Sequence, residues 1–120
     1  MRRIAIALLL LAGLPWSAPA WAHAQLISAQ PRVGATVARA PAEIMLRFTE
    51  ALEPHFSSIV VSDAAGTRMD WQDLRLGPGG DQTIVVGLRN LPPGTYSVRW
   101  QVLSVDTHRS EGSFRFTVAP

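Results

Sequence analysis

From Gln25 onward the apolar residues recur at every second position, in short runs broken by turn formers, and this period of two confines the chain to β structure. Ile44, Leu46 and Phe48 alternate with Met45, Arg47 and Thr49. Tyr96, Val98, Trp100 and Val102 alternate with Ser97, Arg99 and Gln101, and Phe114, Phe116 and Val118 alternate with Arg115 and Thr117. A strand sends successive side chains to opposite faces, so each run has one face to bury. Ser58 to Val61 and Ile84 to Leu88 are more continuously apolar. Turn signals separate the runs at Asp63-Ala64-Ala65-Gly66, Gly77-Pro78-Gly79-Gly80 and Pro92-Pro93-Gly94. No window sustains a helical period. The pattern predicts an all-β, immunoglobulin-like Greek-key sandwich or barrel of about seven or more antiparallel strands, with Arg68 to Gln82 as a long loop.

The front of the chain follows other rules. Arg2 and Arg3 precede an unbroken apolar stretch from Ile4 to Leu14, then Pro15 and a run of small residues, the layout of a secretory signal peptide. The stretch falls short of the ~20 residues a spanning helix requires, and no second apolar stretch follows. Three overlapping frames offer small residues for signal peptidase: Ala18-Pro19-Ala20, Ala20-Trp21-Ala22 and Ala22-His23-Ala24. Sequence rules do not choose among them, and only the middle one makes His23 the new terminus. The expected organisation is a signal peptide over 1–22 and one exported domain over 23–120.

Cysteine is absent, so disulfides, thiolate metal sites and thiol catalysis are excluded together. Of three methionines one lies in the leader, which leaves Met45 and Met69 and disfavours a thioether copper(I) site. Without Arg2 and Arg3 the arginines number nine, equal to the acidic residues, and they are scattered from Arg32 to Arg115. Nucleic-acid binding has no support in such a balance.

Three histidines remain for chemistry, His23, His55 and His108, with no Ser/His/Asp arrangement of recognisable spacing beside them. Asp106 and His108 stand two apart, and in extended backbone both project from one face, roughly 6.5 Å apart along the strand. If the cut leaves His23 first, its free amine and ring Nδ1 close a six-membered chelate on one metal. The second bond then requires little beyond side-chain rotation. With the His108 imidazole and the Asp106 carboxylate the set is three nitrogens and one oxygen, which suits one copper(II) ion. Glu50, at the end of the Arg47–Glu50 strand, either orients a ligand, supplies another oxygen, or is simply a polar edge residue. His55 reads as an exposed turn histidine and stays outside the set.

These residues fall in an order that resembles the CopC family of periplasmic copper-resistance proteins. The matching features are His23-Ala24-Gln25-Leu26, Pro31 with Gly34, Leu46-Arg47-Phe48-Thr49-Glu50, Pro93 to Trp100, and Ser104-Val105-Asp106-Thr107-His108 with Gly112. The resemblance implies a Greek-key sandwich and a copper(II) site made by His23, Asp106 and His108, with the acid equivalent to Glu50 at or near the metal in some members. It implies copper buffering or delivery without turnover, and an association with a CopD-like membrane copper transporter. Other members add a methionine-rich copper(I) site, which this sequence lacks. Two further readings stand beside it: a copper monooxygenase of the lytic polysaccharide type, which also chelates copper with an N-terminal histidine, and a metal-free immunoglobulin-like interaction module. No small-molecule substrate is expected.

Overall fold

The computed structural model describes residues 24–120. Eight strands follow one another as β1 (Leu26–Gln30), β2 (Thr36–Val37), β3 (Glu43–Phe48), β4 (Ser58–Ser62), β5 (Arg75–Gly77), β6 (Gly80–Gly87), β7 (Gly94–Leu103) and β8 (Arg109–Val118), with one 3-10 turn at Pro54–Phe56. They form two four-stranded sheets, β1-β3-β6-β5 and β2-β8-β7-β4, so the chain crosses repeatedly between layers. All pairings are antiparallel except β2 with β8, where Thr36 and Val37 lie parallel to Thr117 and Val118.

The alternating runs do what their period requires. Ile44, Leu46 and Phe48 of β3 face Val98, Trp100, Val102, Phe114 and Phe116 of the other sheet, and all are buried, while Arg47, Arg99 and Arg115 stay outside. The Phe48 ring meets Trp100 edge to face at 5.0 Å, and Tyr96 stacks on Phe116 at 5.5 Å. Gly112 lies opposite Trp100 in the β7–β8 ladder, where a Cβ would stand 2.4 Å from the indole. Glycine there is what lets the indole lie flat across the neighbouring backbone.

The stretch expected to be a long loop is part of the sheet. Arg75–Gly77 pairs with β6, and β6 itself begins at Gly80, inside the expected loop and well before the apolar run at Ile84. Asp70 is buried, accepting from the Val61 N–H at 2.9 Å and from Arg68 Nε at 2.9 Å, while Met69 N–H donates to Val61 O at 2.7 Å. This segment therefore covers part of the open edge of β4, which carries no charge of its own. Among the described residues, no helix is long and apolar enough to cross a membrane.

Candidate metal centre

β7 and β8 are joined by five residues, Ser104 to His108, and the two side chains singled out from the sequence lie on this connection. They are not in extended backbone. Thr107 N–H donates to Ser104 O at 2.8 Å, closing a turn, and Thr107 itself takes φ of 72°. Left-handed backbone is disfavoured for a β-branched residue, so the surrounding bonds must hold it there. Reversal of the chain still brings the pair together: His108 Nδ1 lies 3.3 Å from Asp106 Oδ1. Two donors each ~2.0–2.2 Å from one divalent ion stand ~2.8–3.5 Å apart at angles between a right angle and a tetrahedral one, so the spacing fits a shared ion.

The Asp106 carboxyl also accepts from the Ser104 hydroxyl. That hydrogen bond holds it below the usual carboxylate range; desolvation opposes the effect and the His108 ring adds to it. An acid kept ionised, with an imidazole nitrogen beside it, offers an oxygen and a nitrogen to a cation.

One backbone bond ties this turn to the segment after β3, and that segment in turn holds Gln25. Val105 N–H donates to Ala51 O at 3.0 Å, and Gln25 is tied to Thr49 by Gln25 N–H to Thr49 Oγ1 and by Thr49 N–H to Gln25 O, both at 2.9 Å. Glu50 lies between them, half-buried. The start of the described chain, Glu50 and the Asp106–His108 turn thus gather at one end of the sandwich. Among the described residues, no three His, Asp or Glu side chains converge as a metal-holding group, so Glu50 does not complete a set with Asp106 and His108. His23 and the leader expected over 1–22 lie outside the described residues. His55 is exposed on the 3-10 turn, as expected.

Sequence reasoning had missed Ser104, which is fully buried and touches both members of the pair. The signal was present: Tyr96, Val98, Trp100, Val102 and Ser104 share one parity, so a hydroxyl occupies an inward position of an otherwise apolar row. The groove of about 430 Å³ on the outward face of β4, β7 and β8, lined by Ser58, Val60, Arg99, Gln101, Glu111 and Ser113 among others, includes no residue of the 104–108 turn.

These features define a class: a small two-sheet sandwich bearing a nitrogen–oxygen donor pair on a turn at the same end as Gln25. The CopC domain model matches residues 26–119, and the chain belongs to the CopC family. It is 36% identical over 124 residues to copper resistance protein C of Pseudomonas syringae pv. tomato, covering 98% of each chain. It superimposes on the crystal structure of CopC from Methylosinus trichosporium OB3b with a TM-score of 0.76 at 33% identity, covering 82% of this chain and 95% of that one. It is also 30% identical over 114 residues to the copper transport protein CutJ of Bacillus subtilis (strain 168), covering 94% of this chain but 21% of that protein. The function is therefore copper-related, and the family consists of copper-resistance proteins rather than enzymes. The monooxygenase and the metal-free module give way to this membership.

Proposed function

We propose that the protein loses residues 1–22 on export to the periplasm and, beginning at His23, binds one copper(II) ion through the His23 amine and ring, Asp106 and His108, with Glu50 in the second sphere. The observation that carries this reading is the 3.3 Å approach of His108 Nδ1 to Asp106 Oδ1, on a turn bonded to Ala51, two residues from the Thr49 that holds Gln25. Gln25 is anchored at Thr49, and two further residues of chain span at most ~7 Å, a reach suited to a terminal ligand at this end. Copper(II) favours such a nitrogen-rich tetragonal set. Because nitrogen donors bind only without their protons, acid releases the ion.

The protein's role is to buffer copper or deliver it to a CopD-like membrane transporter. Support for delivery comes from CutJ, a copper transport protein in which the matched region is about a fifth of the length. Intact mass of the exported protein followed by copper(II) titration tests the core of the proposal. One equivalent bound with nitrogen hyperfine structure in electron paramagnetic resonance is expected. A mature terminus elsewhere than His23, or binding unaffected by Asp106→Ala and His108→Ala, contradicts it.

A further inference from the structure

We infer that Ser104 is the positioning residue of the metal-binding turn, setting Asp106 and His108 to face one ion before any ion arrives; this rests on the copper reading above. Ser104 is 0% exposed and its backbone pairs with Leu52, so it belongs to the rigid body of the sandwich rather than to the loop. A hydroxyl buried in an inward slot needs partners. It finds both in the turn: its proton goes to Asp106 Oδ1, and its oxygen accepts the His108 N–H at 3.2 Å. A serine has one proton to give and lone pairs to receive, and this arrangement uses each once on either side of the turn.

The backbone of Ser104 repeats the connection. Its N–H donates to His108 O at 2.9 Å, and its carbonyl accepts from Thr107 at 2.8 Å. Four bonds thus converge from one buried residue on the segment carrying both donors, which accounts for Thr107 staying at φ 72°. Of these four bonds only the hydroxyl's reaches the Asp106 side chain, and a bond to an ionised carboxylate is of the stronger kind. The Asp106 side chain is 44% exposed and otherwise meets the His108 ring, so losing the hydroxyl removes its tie to the buried frame of the sandwich. Partners of this sort behind a ligand typically change metal affinity by ~10–100-fold.

The experiment compares processed wild type, Ser104→Ala, Ser104→Thr and Asp106→Ala. Copper(II) affinity is measured by chelator competition, and coordination by electron paramagnetic resonance. Ser104→Ala is expected to unfold cooperatively without metal, yet to bind copper about 10-fold more weakly or worse, with an altered hyperfine pattern and faster release. Ser104→Thr, which keeps the hydroxyl, restores the wild-type spectrum. Unchanged affinity and spectrum in Ser104→Ala, with binding lost in Asp106→Ala, overturns the role of Ser104 while leaving the copper site standing. Unchanged binding in Asp106→Ala overturns the copper site itself and this inference with it. Should Ser104→Ala not fold, amide exchange in the wild type decides. A His108 amide as slow without copper as with it supports a turn set in advance, and one that slows only on copper addition overturns it.

Discussion

Asp70 and Asp106 are both held below the usual carboxylate range, by opposite balances of burial and contact. At Asp70 burial pushes the carboxyl up, but the Arg68 guanidinium and the N–H groups of Val61 and Gln72 outweigh it. A carboxyl whose folded value is depressed stabilises the fold above its unfolded pKa, and that contribution disappears as pH falls through the lower folded value. Stability is therefore expected to decline below about pH 4. Asp70→Ala should cost about 1–3 kcal/mol at neutral pH, because it strands the Val61 N–H at a covered edge. Urea unfolding of both proteins from pH 7 to 3 checks this, since the gap should narrow with acid; a constant gap rules out the linkage. The role of Asp70 was not readable in the sequence, because it acts through Val61, nine residues earlier on a strand edge. Asp106 and His108 were expected to lie close together, and they do, but on a different backbone from the one expected. A two-residue spacing puts side chains on one face of a strand, whereas here a left-handed Thr107 turns the chain and brings them together from either side of a reversal.

At the scale of elements, the long strands were legible and the short ones were not. β3 buries one whole face, and β7 from Tyr96 to Val102 and β8 from Phe114 to Val118 bury every second residue, so their alternation wrote itself into the residue types. β2 has two residues and β5 three, both at sheet edges, and such lengths carry no period to read. β7 and β8 form the longest ladder, from Gly94 with Val118 to Leu103 with Arg109, and the 104–108 turn is its tip. The turn is thus carried by the packing behind it. Gly112→Ala places a methyl carbon against the Trp100 ring, which also meets Phe48 edge to face. Overpacking of this kind costs about 1–3 kcal/mol, and near-ultraviolet circular dichroism should register the displaced indole alongside the lowered urea midpoint. A stability within 0.3 kcal/mol of wild type, on the order of the scatter for surface substitutions, means the indole has room elsewhere.

For the whole molecule, the decisive consequence of the topology is that three segments far apart in sequence end side by side: the segment at Gln25, the residues after β3 from Thr49 to Ala51, and the turn at 104–108. Each is tied to its neighbour by backbone bonds, none of which requires metal. An ion bridging the first segment and the third would add a cross-link across the end of the sandwich, present in the folded state and absent from the unfolded one. Ligand at 100 times its dissociation constant then adds about 2.7 kcal/mol to stability. In a domain of this size that raises the unfolding midpoint by about 10–20 °C, at ~4–8 °C for each kcal/mol. A protein carrying one extra residue ahead of His23 keeps every described contact, so without copper it should melt with the processed form. With copper it should lose most of the gain, because the amine next to the His23 ring has become an amide and no longer offers its lone pair. Scanning calorimetry of both forms, with and without one equivalent of copper(II), separates the contributions: equal gains in the two forms would show that the ion is held without the terminal amine, and the corner of the site nearest Gln25 would have to be sought in other side chains.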